Sequence, residues 1–304
     1  MNLAPIVLFV YNRPWHTQQT VEALQKNELA KDSELFIYSD EAKNENAREN
    51  VDKVRKYIDK IEGFKKVTII KREKNWGLAD SIIDGVTKII NKYGKVIVLE
   101  DDLVTSPYFL KFMNEGLEVF QKREDIFSIT GFSFSSSFMK FPKGYEEDIY
   151  LNIRPMSWSW GTWKDRWQDI DWEIKGFNDF ANNKNAINEF NKGGTDLFGM
   201  LKLQMENKLD SWYIRWTYNA YLKKQYTVYP KISFVNNVGH DNSGVHCSVD
   251  TKNIYSHTEL NNNSNFVLNN DITLNKKIID SFNKGFNVKF KSKIKKYIKR
   301  LFKI

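Results

Sequence analysis

Apolar runs of strand length alternate with amphipathic helical stretches through the first 130 residues, and this rhythm restricts the fold more than any other feature of the chain. Pro5 to Val10 is one such run, and Pro14 follows where a first helical turn tolerates it. Thr20, Val21 and Leu24 carry a helix to about Asn27, and Glu34 to Tyr38 makes a second short strand ending in Ser39-Asp40. Within 46–62, Val51, Val54, Ile58 and Ile61 recur at helical spacing, and the β-branched run Val67-Thr68-Ile69-Ile70 predicts the next strand. Leu78, Ile82, Ile83, Val86 and Ile89 mark another helix. Val96 to Leu99 shows no polar alternation, as expected of a strand covered on both faces. Strands and helices in alternation build a parallel sheet. A helix at 107–122 and a strand at Ile126 to Thr130 continue the series, and there the rhythm stops. Ser133 to Ser137 and the Trp-rich stretch 157–172 fit no βα unit. Helices are expected at 195–207 and 211–224 and a strand at Tyr226 to Tyr229, and six Asn within 261–270 mark a loop. The expected class is α/β, with a mainly parallel central sheet flanked by helices. One domain spans 1–288 and a basic amphipathic helix 289–304.

The formal charge of +8 is concentrated in that last segment. Eight of the 46 Lys and Arg, and none of the 38 Asp and Glu, lie between Lys289 and Ile304, so the rest of the chain is formally neutral. On a helix, Phe290, Ile294, Tyr297, Ile298, Leu301 and Phe302 form one apolar stripe surrounded by lysines. Such a helix can lie in a headgroup layer, where each Lys or Arg near an anionic surface adds roughly 1 kcal/mol. The alternative is a helix that docks its stripe on the protein's own body. No aromatic-and-basic recognition sheet or zinc finger is evident, so no nucleic acid is expected as a partner. The one cysteine, Cys247, excludes an internal disulfide and fits a reducing compartment. Ala4 to Val10 lacks a preceding basic segment and reads as a strand, and no apolar run approaches the ~18 residues that a spanning helix needs. The expected location is cytoplasmic, peripheral at the inner face of the cell membrane.

Glu100-Asp101-Asp102 directly follows the fourth strand, and open parallel sheets gather ligands at the carboxyl ends of their strands. Three successive carboxylates repel one another unless solvent or a cation compensates, and oxygen ligands suit Mn²⁺ or Mg²⁺ with phosphate and water completing the shell. The alternative is an N-cap cluster for the following helix. The first strand ends in Val10-Tyr11-Asn12-Arg13-Pro14 and the second in Ser39-Asp40, so an arginine and a further carboxylate share that edge. Arg13 offers a fork for phosphate or makes a strand-end salt bridge. Asp40 accepts from a uracil imide or a ribose hydroxyl, or closes a turn. A metal-bound nucleoside diphosphate fits all three groups. Neither Gly-x-Gly-x-x-Gly after the first strand nor Gly-x-x-x-x-Gly-Lys-Ser/Thr is present.

Three stretches, in this order, resemble a known family. They are Pro5 to Arg13 (PIVLFVYNR), Val98 to Phe109 (VLEDDLVTSPYF), and Leu209-Asp210-Ser211-Trp212 with Tyr229-Pro230-Lys231-Ile232-Ser233 downstream. The chain is similar over about residues 4–245 to GT-A glycosyltransferases, most closely the N-acetylglucosaminyltransferase I type and its bacterial sugar-transferase relatives. The resemblance implies a GT-A fold and a metal-dependent, inverting transfer of a sugar from a nucleotide donor, usually a UDP-sugar, to an acceptor hydroxyl. With the basic segment, which lies outside the resemblance, the acceptor is expected to be a lipid-linked or surface glycan. Carried over residue by residue, Arg13 looks like the phosphate contact, with Val10 and Tyr11 in the same nucleotide-binding stretch. Asp40 looks like the uracil contact, and Glu100 and Asp101 would sit at the ribose and donor sugar. Asp102 looks like the direct metal ligand and Asp210 the catalytic base, with Asp241 as the second choice. The family pattern has a second carboxylate where this chain has Ser211. The family's mobile loop resembles Gly239 to Gly244, where this chain adds His240, Asp241 and His246, the last a candidate metal ligand. Alternatives are an N-cap role for Asp210, a polar loop role for His246, a sugar nucleotidyltransferase, and a non-catalytic glycan- or lipid-binding protein. A nucleotidyltransferase would need a Gly-rich loop after the first strand.

Trp158, Trp160, Trp163 and Trp167 fall within twelve positions. Aromatic faces pack on the C–H-rich sides of sugar rings, so a sugar is expected at Trp158 and Trp160. Trp163 and Trp167, four apart, are expected to share the core face of one helix.

Overall fold

The structure is a computed structural model that describes residues 2–241 and 260–284. The expected rhythm is present. Strands β1 (Ile6–Val10), β2 (Glu34–Ser39), β3 (Lys66–Lys71) and β4 (Lys95–Glu100) alternate with helices α1 (Pro14–Gln25), α2 (Glu45–Ile58) and α3 (Leu78–Tyr93). Short β5 (Leu103–Thr105), α4 (Phe109–Val119), β6 (Ile126–Thr130), β7 (Ile149–Asn152) and β8 (Trp160–Trp163) follow. Next come helices α5 (Lys164–Gln168), α6 (Phe177–Ala181), α7 (Lys184–Phe190), α8 (Leu197–Met205) and α9 (Trp212–Leu222), then β9 (Tyr226–Pro230) and β10 (Val235–Asn237). Residues 276–284 are helical.

Eight strands form one sheet in the order β3-β2-β1-β4-β8-β6-β9-β7. β1, β2, β3 and β4 are mutually parallel. β8 runs antiparallel between β4 and β6, which leaves β6 and β9 pointing the same way as β4. The carboxyl ends of six strands therefore open on one edge. Side chains alternate across the sheet, as a pleated strand requires. Ile6, Leu8, Ile97 and Leu99 face a core shared with α1, α2 and α4, while Val7, Phe9, Val96 and Val98 face one shared with α3, α5 and α9. Gly85 lets α3 approach the sheet, since a Cβ there would come within 2.9 Å of the Phe9 ring.

The break in rhythm after Thr130 has a physical cause: β8 is a four-residue antiparallel insertion, specified by long-range pairing with Val96–Val98 and Ile129–Thr130. It corrects the expectation for Trp163 and Trp167. Trp163 ends β8 and donates its Nε1–H to the Leu117 carbonyl (2.9 Å) in one core, whereas Trp167 lies on α5 in the other. Among the described residues, no helix is long and apolar enough to cross a membrane.

Candidate active site

The carboxyl edge brings together residues from β1, β4 and the segment after β10. Arg13 caps β1's exit and pairs with both Asp101 and Asp102, the latter at 3.0 Å. Burial works against the Arg13 charge, but the two carboxylates more than offset it and raise its pKa. Its Nη1 is buried and has no hydrogen-bond partner. Burial, then the charges of Asp102 and Asp101, push Glu100 up to about 8, with Arg13 pulling the other way. Asp101 is raised chiefly by burial, against the pull of Arg13. Among the described residues, Arg13 is the guanidinium paired with this turn, so its three adjacent carboxyl groups are short of positive charge.

The tripeptide is not a helix cap. It leads into β5, which pairs with β10, and the next helix begins only at Phe109. Thr20 of α1 fixes this turn, donating to the Asp101 carbonyl (2.9 Å) and accepting from Leu103 N–H (3.0 Å). The β5–β10 pairing brings the segment 238–241 over the site. Val238 N–H donates to the Asp102 carbonyl (2.9 Å), and a Cβ built on Gly239 would overlap Asp102 Oδ2 and lie 2.9 Å from Arg13 Nη1. Asn237 holds Gly239 N–H at 2.8 Å. Asp241 meets His16 Nε2 at 3.1 Å. Sequence reasoning missed His16, Thr20 and Asn237. The position of His16 one turn after Arg13 was its only signal.

Asp40 is occupied by the protein itself. Its carboxylate accepts from Glu41 N–H (2.9 Å), Trp76 N–H (2.9 Å), Gly77 N–H (2.9 Å) and Asn75 Nδ2 (3.1 Å). The sequence alternative, closure of a turn, describes this better than a free nucleobase contact: Asp40 ties β2 to the loop that enters α3. Gly77 has φ +76°, a conformation that favours glycine, and a Cβ there would lie 3.8 Å from Asp210 Oδ2. Asp210 thus stands beside this loop with an exposed carboxylate, 3.9 Å from Arg215. It does not cap α9: Ser211 is the N-cap, accepting from Ile214 N–H. Val10 is buried in β1, and Tyr11, half-buried, accepts at its hydroxyl from Lys43 N–H (3.0 Å).

The two tryptophans separate. Trp158 is half-buried at the edge, against Phe132 (centroids 4.7 Å) and His240 (5.5 Å). Trp160 is buried against Trp167, Trp212 and Trp216 and has no surface for a sugar, correcting the expectation. Its position on β8 turns it into the core. Buried Arg154, four residues before Trp158 in the chain, grips Asp196 at 2.7 and 2.8 Å and Tyr213 Oη at 2.9 Å, tying the segment that leads into β8 to α9. His246, Cys247, Gly244 and the basic segment 289–304 lie outside the described residues.

A divalent cation suits the donor chemistry here, since hard carboxylate oxygens with too little positive charge are what such ions bind. Among the described residues, no group of three His, Cys, Asp or Glu side chains is arranged to hold a metal. A cation held at this turn would take only part of its coordination shell from the described side chains, and phosphate oxygens and water would have to complete it.

No curated protein matches the chain. Among solved structures it is similar to S. aureus TarS residues 1–349, with 13% identity and TM-score 0.43 over 76% of this chain and 59% of that one. It is also similar to the mannosyltransferase PcManGT from Pyrobaculum calidifontis in complex with GDP-Man and Mn²⁺, with 8% identity and TM-score 0.34 over 54% of this chain and 48% of that one. The chain thus spans less than two thirds of either. The family model described as Glycosyl transferase family 2 matches residues 6–192, which run from β1 through the carboxylate turn to the Trp-rich strand. The chain belongs to glycosyl transferase family 2 and has the GT-A fold.

Proposed function

We propose that the protein is a metal-dependent, inverting glycosyltransferase that takes a sugar from a UDP-sugar and passes it to an acceptor hydroxyl on a lipid-linked or surface glycan. The observation that carries this reading is the Glu100-Asp101-Asp102 turn at the carboxyl edge, paired with Arg13 and covered by Gly239. Mn²⁺ or Mg²⁺ bound at Asp102 would stabilise the charge that develops on the departing diphosphate. Arg13 offers its unpartnered Nη1 to the same phosphates, and a buried guanidinium in a water-poor site stabilises an anion far better than one in bulk solvent. Glu100 and Asp101 face the ribose and donor sugar. Trp158 offers an aromatic flank for a sugar ring.

An acceptor hydroxyl is a poor nucleophile until its proton leaves. Asp210 is the proposed base: its carboxylate is exposed beside the Gly77 loop, uncommitted to capping α9, and can take that proton as the C–O bond forms. One in-line displacement then inverts the anomeric carbon. Asp241, held by His16, is the second candidate. The basic, apolar-striped segment 289–304 supports peripheral attachment to the cytoplasmic face of a membrane, and so a lipid-linked acceptor.

The test is donor turnover by the full chain across uridine, guanosine and thymidine diphosphate sugars, with and without Mn²⁺ or Mg²⁺, following nucleotide release and the anomeric configuration of the product by NMR. Metal-dependent release from a UDP-sugar with an inverted product is expected. Retention, or turnover unaffected by chelator, would overturn the mechanism.

A further inference from the structure

The Asp210 carboxylate is exposed and meets Arg215 Nη2 at 3.9 Å, too far for a hydrogen bond. Where it stands is therefore set by the main chain of residues 206–211, the connection from α8 to α9. That connection folds back on the end of α8. Asn207 N–H donates to the Gln204 carbonyl (3.1 Å), and the Leu203 carbonyl accepts from both Lys208 N–H (2.9 Å) and Leu209 N–H (3.2 Å). Asn207 has φ +55°, a left-handed conformation that asparagine tolerates better than most residues.

Where the turn enters α9, a side chain takes over. Ser211 is the N-cap, and in a capping box its own N–H would be accepted by a Glu or Gln at the third helical position. Here that position is Ile214, which has no side-chain acceptor. Gln204 of α8 supplies one instead, its Oε1 accepting from Ser211 N–H at 2.6 Å. Arg215 Nε donates to the Ser211 carbonyl (3.2 Å), so both main-chain polar groups of the residue after Asp210 are held by side chains.

The support behind Gln204 is firm. Leu197 and Leu201 of α8 share a buried cluster with Ile214 and Tyr218 of α9. Asp196, at the start of α8, spends its carboxylate on Arg154, which also donates to Tyr213 Oη, and Tyr213 in turn donates to the Pro155 carbonyl (2.8 Å). The two helices are thus joined through their packed faces and through Arg154, and Gln204 carries that rigidity into the turn.

We propose that Gln204 is a positioning residue for sugar transfer: by holding Ser211 N–H it fixes the main chain that carries Asp210 and keeps the carboxylate beside the Gly77 loop. The proposal rests on the reading of Asp210 as the base and adds the residue that aims it. Gln204 itself touches no substrate.

The test compares Gln204→Leu, which has no acceptor, with Gln204→Glu, whose carboxylate accepts from the same N–H, and with Asp210→Asn, all in the full chain. Nucleotide release is followed from the UDP-sugar that the wild type turns over fastest, with Mn²⁺ present. Calorimetry gives UDP affinity and circular dichroism gives Tm. Gln204→Leu is expected to lower kcat roughly 10–10²-fold with donor KM, UDP affinity and Tm close to wild type, and Gln204→Glu to restore kcat to within a few-fold. A wild-type kcat in Gln204→Leu, equal losses in Leu and Glu variants, a loss of UDP affinity, or a Tm that falls in step with the rate would each overturn the proposal. Asp210→Asn at the wild-type rate, or no turnover of any UDP-sugar by the wild type, overturns the reading of Asp210 and the proposal with it. A crippled Asp210→Asn beside a fully active Gln204→Leu overturns the positioning role alone.

Discussion

Asp40→Asn separates two roles for this residue, contact with a nucleobase and attachment of a loop. The wild-type carboxylate accepts from Glu41 N–H and Trp76 N–H on Oδ1 and from Gly77 N–H and Asn75 Nδ2 on Oδ2. An asparagine keeps one oxygen. Its amide group would then face Gly77 N–H, donor against donor, and flipping the amide would only move the conflict to Glu41 and Trp76. Asn75 retains its bond to the Glu41 carbonyl at 2.7 Å, so it is not the loss that counts. One stranded donor costs about 1–3 kcal/mol, and loss of the negative charge weakens the bonds that remain, for a total of about 2–4 kcal/mol. Trp76 and Gly77 are half-exposed and water can relieve part of this, so the lower end, about 2 kcal/mol, is expected. For a chain of 304 residues that is a fall in Tm of roughly 3 °C. Urea denaturation followed by tryptophan fluorescence, with thermal melts by circular dichroism, measures it. A variant as stable as wild type that had lost uridine nucleotide binding would refute the reasoning and return Asp40 to the ligand.

Three further substitutions probe the site and its support. Asp210→Asn should lower kcat by roughly 10²–10⁴ with the donor's KM unchanged, because it removes proton abstraction and leaves the diphosphate site intact; a wild-type rate would move the base elsewhere. Trp160→Ala opens the buried tryptophan stack and should cost about 3–5 kcal/mol in urea denaturation, while Trp158→Ala should change stability less and raise KM for donor or acceptor; equal effects on both measures would reject the distinction. Gly239→Ala must push the 238–241 segment off Asp102 and Arg13 and should reduce transfer on the order of 10²-fold with little change in Tm, and full activity would show that the segment does not cover the working site.

The half of the fold readable in the sequence is the half built from continuous apolar strands. β1, β2 and β4 are covered on both faces and appear as apolar runs, half-buried β3 at the sheet's end shows its β-branched run, and the helices between them show their buried stripe at regular spacing. β5, β7, β8 and β10 are three or four residues long and owe their existence to partners far away in sequence. No local pattern specifies the register of Trp160 against Val98, and without it Trp160 cannot be told from a surface tryptophan. The site divides likewise. Arg13 and the acidic turn were legible because strand ends locate them. Asp40 was found, but its commitment to Trp76 and Gly77 depends on a contact across more than thirty residues. The closure of Gly239 over Asp102 and the grip of Arg154 on Asp196 are tertiary in the same sense.

The central claim is that Asp102, with Arg13, forms a metal-assisted site for a nucleoside diphosphate. Calorimetric titration of uridine diphosphate into the full chain, with and without Mn²⁺, compared between wild type and Asp102→Asn, tests it most directly. The account predicts binding that requires the metal and is lost in the variant, while the variant's melting temperature stays close to wild type. Equal binding by both proteins, or no binding by a well-folded wild type, would contradict it.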